Sequence, residues 1–283
     1  MVVITGASGQ LGRLVIEELL KTVPASSIVA AVRNPEKVSD LAARGVQVKL
    51  ADYSNLSSLE AAFEGADKVL MISSSELGQR LPQHQNVIEA AKRAKVGLVA
   101  YTSILHADTS PLPLAKDHKD TEALLKASGI PHVLLRNGWY TENYLASMPP
   151  ALQYGVFIGS AGDGKISSAA RADYAIAAAK VLTLDGQAGK VYELAGDKAY
   201  TLTELAAEIT RQSDKTVAYQ NMAEADFKGA LLGAGLPEPL AHLLAESDVG
   251  ASKGGLFDDS HQLSQLIGRP TATLATLVKA AIV

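Results

Sequence analysis

The 283-residue sequence contains no cysteine, which excludes disulfides, thiolate nucleophiles and cysteine-ligated metal sites. Positive charge is not in excess: 26 Lys and Arg stand against 30 Asp and Glu, a formal net charge of -4. A nucleic-acid surface needs clustered Lys and Arg, so no nucleic-acid partner is expected. No apolar run approaches the length of a membrane span. No basic segment with a small-residue cleavage site precedes the strand-like run that starts at Val2. The expectation is a cytoplasmic protein with no membrane partner and no metal site. Repeats, heptads and low-complexity segments are missing too, and the oligomeric state is left open, a homo-oligomer included.

Hydrophobic residues make up 47% and charged residues 20%, which suits a sizeable core in an α/β nucleotide domain with a smaller companion. The opening stretch organises the rest. Val2-Val3-Ile4-Thr5 is a β-branched run, Gly6-Ala7-Ser8-Gly9-Gln10-Leu11-Gly12 a glycine-rich turn, and Leu11, Leu14, Val15 and Leu19 an apolar helical periodicity. Strand, tight turn and helix in that order place a helix N-terminus under a dinucleotide pyrophosphate. Gly6 ends the strand, Gly9 lets the backbone approach phosphates, and Gly12 allows close helix packing.

Strand-like and helical segments then alternate. The strands are Ile28–Val32, Val46–Leu50, Lys68–Ile72, Leu98–Thr102 and His132–Leu135; the helices lie near Val38–Ala43, Leu56–Phe63, Gln83–Lys95 and Asp117–Ala127, with Leu77–Leu81 as loop. This predicts a Rossmann-type doubly wound parallel sheet whose ligands sit beyond the strands' carboxyl ends. Arg33 follows the second strand, where an NAD enzyme would carry an acidic residue. Its fork of donors matches a 2′-phosphate, which points to NADP. Asp52, after the third strand, can accept from an adenine amine or serve the N-cap region of the next helix. Ser73, Ser74 and Ser75 follow the fourth strand and offer small hydroxyl residues. Ser103 and His106 follow the fifth, and Asn137-Gly138-Trp139-Tyr140-Thr141-Glu142 the sixth, with the only tryptophan of the chain.

After residue 148 the composition changes. Pro149-Pro150 is expected to break a helix. Val156–Ile158, Val191–Leu194 and Val217–Tyr219 read as short strands, Ala169–Leu184 as a helix, and Thr201 to Glu204 as a capping box. The prediction is an NADP-binding domain over 1–148 and a smaller C-terminal α+β lobe over 149–283 that builds a substrate wall, with the chain free to cross between them.

The Thr5–Gly12 turn, Arg33-Asn34-Pro35, Ile72–Glu76, Tyr101-Thr102-Ser103, Leu135–Tyr144, Gly250–Gly255 and Leu263–Pro270 together resemble the NmrA-like group of atypical short-chain dehydrogenases/reductases, on the side of its NADPH-dependent quinone oxidoreductases. That resemblance implies an enzyme that passes a hydride from NADPH to a small-molecule quinone. Gly6, Ala7, Ser8, Gly9, Gln10 and Leu11 would cradle the pyrophosphate and Arg33 the 2′-phosphate. Ser73–Ser75 with Asn137, Gly138, Trp139, Tyr140, Thr141 and Glu142 would hold the nicotinamide half. The wider superfamily's Tyr-x-x-x-Lys proton relay is absent, since the matching positions are Leu114 and His118. A quinone needs only stacking and protons from water or from a group such as His118 or Tyr140, so no single catalytic side chain is assigned. The rival reading is an NADP-sensing regulator without turnover. An epimerase or dehydratase is weakened most by the missing tyrosine.

Overall fold

The computed structural model describes residues 1–76 and 78–282. The chain forms two compact units, each from several segments: Met1–Ile104, Lys116–Asn137 and Arg171–Tyr192 in the first, and Leu105–Ala115, Gly138–Ala170 and Glu193 onward in the second. The first is a regular βα series. It runs β1 (Val2–Thr5), α1 (Gln10–Leu19), β2 (Ile28–Val32), α2 (Ser39–Ala43), β3 (Gln47–Leu50), α3 (Leu56–Phe63), β4 (Lys68–Met71), α4 (Arg80–Arg93), β5 (Leu98–Ile104), α5 (Ala115–Ser128) and β6 (His132–Asn137).

These strands pair parallel from β3 through β2, β1, β4 and β5 to β6, so the order reverses between β1 and β4. This is the doubly wound Rossmann arrangement, and the reversal marks where ligands bind. Burial follows residue type. The apolar β2 and the seven-residue β5 are fully buried, as strands covered on both faces must be. The outer β3 alternates Gln47 and Lys49 with Val48 and Leu50; its middle is half-buried and its ends, Gln47 and Leu50, are exposed.

The remaining elements are α6 (Thr141–Leu145), α7 (Met148–Tyr154), β7 (Val156–Gly159), α8 (Arg171–Thr183), β8 (Val191–Leu194), α9 (Leu202–Gln212), β9 (Ala218–Asn221), α10 (Glu224–Gly233), α11 (Glu238–Ser252), α12 (Gln262–Ile267) and α13 (Leu274–Ile282). The structure revises the sequence reading at four points. Val191–Leu194 is expected in the smaller lobe, but β8 extends the large sheet beyond β6. Pro149 and Pro150 open α7, where a missing N–H costs nothing, and do not break a helix. On α1 the buried stripe is Leu11, Gly12, Val15, Ile16 and Leu19, with Leu14 half-exposed. The loop expected over Leu77–Leu81 gives way to α4 at Arg80, and Leu77 lies outside the described residues.

In the second unit β7 and β9 pair as a two-stranded parallel sheet. The capping box is present: Thr201 Oγ1 accepts from the Glu204 N–H while Glu204 accepts from the Thr201 N–H. Phe227, Leu231, Ala241 and Ala245 form the small apolar core between α10 and α11. Among the described residues no helix is long and apolar enough to cross a membrane.

The first turn fixes how close α1 lies to β1. Gly6 has φ +60°, and a Cβ on Gly12 would stand 2.6 Å from the Gly6 carbonyl oxygen and 2.8 Å from Ala7 Cα. Both obstacles are backbone and cannot rotate away. Gly12→Ala is therefore expected to cost about 2 kcal/mol, read as a lower urea midpoint; an unchanged midpoint would mean that α1 is free to shift.

Candidate functional site

The carboxyl ends of β1 to β4 enclose a cleft of about 240 Å³ in the first unit. Gly6, Ser8 and Gly9 line it beyond β1, Arg33 beyond β2, Asp52 and Tyr53 beyond β3, and Ser73, Ser74, Ser75 and Glu76 beyond β4. Eight of the residues named from the sequence thus meet on one wall: Gly6, Ser8, Gly9, Arg33, Asp52 and the three serines. Ala7, Gln10 and Leu11 do not line it; Ala7 and Leu11 are buried beneath the turn. The cap of α1 is Gly9, with no side-chain cap and no acidic residue in the first turn. Its first N–H groups therefore keep their capacity for an anion.

The wall is rigid because buried groups hold its backbone from behind. Thr5 Oγ1 donates to the Leu70 carbonyl at 2.9 Å and accepts from the Ile72 N–H at 3.1 Å. The Tyr53 hydroxyl donates to the Ile72 carbonyl at 2.7 Å, and burial raises its pKa. Asp52 accepts from the Ser54 N–H at 2.8 Å, whereas Asn55 is the residue that caps α3. The Ser73 N–H donates to Thr102 Oγ1, the Ser74 N–H to His84 Nε2, both at 2.9 Å, and Arg80 Nε to the Ser74 carbonyl at 2.7 Å. Because His84 Nε2 accepts, its proton sits on Nδ1, facing Thr121 Oγ1 at 2.9 Å. Burial and the nearby Arg80 push His84 down to about 3, so it is neutral.

His118, named as a proton source, and Ser103 and His106, which follow the fifth strand, have other occupations. Ser103 Oγ donates to Glu122 at 2.5 Å, and Glu122 takes Arg136 bidentately at 2.9 and 2.6 Å in a buried ion pair. His118 Nδ1 lies 2.7 Å from the Tyr101 hydroxyl, and burial, Arg80 and His84 push its pKa to about 3. It carries no positive charge to give up. His106 belongs to the second unit, between Asp258 at 3.2 Å and Glu193 at 3.7 Å.

The block from Asn137 to Glu142 divides. Asn137 ends β6 in the first unit, and its buried Oδ1 has no hydrogen-bond partner among the described residues. Gly138 to Glu142 lie in the second unit. There Thr141 Oγ1 meets Ser168 Oγ at 2.7 Å, which meets the Tyr200 hydroxyl at 2.6 Å, while Tyr140 and Ala169 form a β-bridge. Trp139 lines a separate cavity of about 40 Å³ with Tyr144, Phe157, Phe227 and Asp248. Asp248 accepts from the Ser160 N–H at 2.8 Å and the Tyr144 hydroxyl at 3.2 Å, and burial raises its pKa to about 6. Only a glycine fits beside it, since a Cβ on Gly159 would come within 2.7 Å of its Oδ2.

A family model described as NAD(P)H-binding matches residues 6–184. The chain belongs to that family. Within the NAD(P)H-binding proteins its fold is NmrA-like. It is 66% identical to quinone oxidoreductase 2 of Escherichia coli (strain K12), over 98% of this chain and 97% of that protein. Among solved structures, the NADPH-dependent quinone oxidoreductase of Escherichia coli complexed with NADPH matches with a TM-score of 0.98 at 64% identity, covering 100% of both chains. Citrobacter sp. triphenylmethane reductase complexed with NADP(H) matches with a TM-score of 0.95 at 40% identity, covering 99% of this chain and 100% of that one.

The residues fit a dinucleotide on two counts of this chain's own geometry: a turn that admits no Cβ at Gly12 and an uncapped helix N-terminus. Sequence reasoning missed Tyr53, Gln83 and His84. Tyr53 carried a signal in its strand-end position, whereas Gln83 and His84 sit inside a helix and carried none. The pH dependence follows from the two histidines. Their folded pKa values lie below the unfolded value near 6.5, so their contribution is complete above pH 6.5 and is lost as pH falls toward 3. Asp248, raised to about 6, acts in the opposite sense between roughly pH 4 and 6, one proton against two. Urea unfolding should therefore show stability falling by roughly 2 kcal/mol or more from pH 6.5 to 4.5, with a shallower fall in His84→Gln. A flat profile would contradict a neutral, buried pair.

Proposed function

We propose that the protein is an NADPH-dependent quinone oxidoreductase. The observation that carries this is the strand-end cleft: a capless helix N-terminus and an arginine beyond β2 converge there, in a chain 66% identical to a quinone oxidoreductase. The first N–H groups of α1 take the pyrophosphate, as helix N-termini take anions. Arg33 takes the 2′-phosphate through its guanidinium, where an aspartate would repel it. Asp52 retains a carboxylate oxygen on the cleft wall for an adenine amine. Ser73 and Ser74, whose backbone is held by Thr102, His84 and Arg80, and Ser75 after them bring small side chains to the cleft, and Asn137 Oδ1 is an acceptor for a carboxamide.

NADPH supplies the hydride when it is bound; one further proton completes the hydroquinone. The chain contributes orientation. A flat, strongly accepting ring needs alignment more than it needs an acid, and alignment alone can remove several kcal/mol of a barrier.

Purified protein should oxidise NADPH only when a quinone is added, followed at the nicotinamide absorbance. NADPH binding without quinone-dependent oxidation would replace this reading with that of a sensor. In the same assay Arg33→Ala should raise KM for NADPH by ~10- to 100-fold and leave KM for NADH within about twofold, the range expected for lost charge-assisted hydrogen bonds. An unchanged preference would remove Arg33 from the site.

A further inference from the structure

The arginine assigned to the 2′-phosphate already has an anionic partner. Arg33 Nη1 donates to Glu76 Oε1, and both side chains line the cleft. Glu76 is aimed there by its surroundings. Its other oxygen accepts from Gln83 Nε2 at 2.6 Å, and its own N–H donates to Ser74 Oγ at 3.2 Å. Gln83 is buried, and its amide oxygen accepts from the Ser74 hydroxyl, so the carboxylate is held by the same loop that forms the end of the cleft. A 2′-phosphate and this carboxylate want the same guanidinium. They are both anions, so they cannot share it without repulsion.

We propose that Glu76 is a specificity-determining residue that competes with the 2′-phosphate of NADPH for Arg33. This rests on the assignment of the cleft to NADPH. In the free protein the carboxylate keeps Arg33 paired and folded toward the cleft. Binding of the phosphate exchanges one ion pair for another and leaves Glu76 with Gln83. The exchange is shallow, because the side chains of Arg33 and Glu76 are 68% and 41% exposed and an ion pair in water is weak. NADH has no 2′-phosphate and displaces nothing. Its ribose hydroxyl meets a carboxylate in the role that acidic residues play in NAD-binding sites. Glu76 thus narrows the gap between the two cofactors while Arg33 widens it.

Binding constants for NADPH and NADH, measured by quenching of intrinsic fluorescence at low and high salt, separate the cases. The variants are Glu76→Gln, which retains the acceptor for Gln83, Arg33→Ala, and both together. Glu76→Gln should tighten NADPH about 3- to 10-fold at low salt and leave NADH no tighter than in the parent protein. The gain should shrink at high salt and vanish in the Arg33→Ala background, where nothing remains to compete for. Unchanged NADPH affinity in Glu76→Gln, with a clear loss in Arg33→Ala, would overturn the competition and leave the cofactor site standing. If Arg33→Ala changes neither cofactor, the assignment of Arg33 fails, and the proposal with it. Equal tightening of NADPH and NADH would also overturn it, since that is a general charge effect.

Discussion

The contact on which the first unit depends is the one between the β1–α1 turn and the helix that follows. A Cβ on Gly12 would press on the Gly6 carbonyl oxygen from 2.6 Å, so α1 sits against the strand end at a distance only glycine permits. That distance sets the height of the helix N-terminus over the sheet. It also sets where Ser8 and Gly9 stand relative to Arg33, Asp52 and Ser73 at the neighbouring strand ends. Thr5, one residue before the turn, binds β1 to β4 through Leu70 and Ile72, so the turn and the serine loop form one rigid piece.

A second layer of buried side chains supports the first. His84, Thr102 and Arg80 use side chains buried under the sheet ends to hold the backbone of Ser73 and Ser74. A polar group buried this way must be fully partnered, and His84 is: one nitrogen accepts, the other faces a threonine. The same desolvation that keeps His84 and His118 neutral denies them a part in acid catalysis. Ser103 is likewise spent on Glu122. The chain therefore lacks the usual proton relay in sequence, and its nearest stand-ins are occupied in space.

Much of the first unit was legible because its signals are local. A β-branched run followed by glycines, and Arg33 directly after β2, need no long-range information, and the sheet order follows from regular βα alternation. Signals failed where tertiary context decides. Val191–Leu194 has the same appearance in a small lobe as on the edge of the large sheet. Pro149-Pro150 is a helix breaker or a helix start depending on which residue precedes it. His84 and Gln83 lie within α4 with no periodic or motif signal, and their role exists only because the Ser74 loop passes beside them. Glu76 was visible as a residue but not as the partner of one 43 positions away.

The claim at the centre is that the cleft of the first unit takes the 2′-phosphate on Arg33. The ³¹P resonance of that phosphate, titrated with NADP⁺ bound to the protein, reports it directly. A phosphate monoester has a second pKa of about 6. An adjacent guanidinium favours the dianion, so the bound phosphate should titrate at least about one unit lower than the free one. A bound phosphate that titrates as it does in water would place the group in solvent and contradict the account.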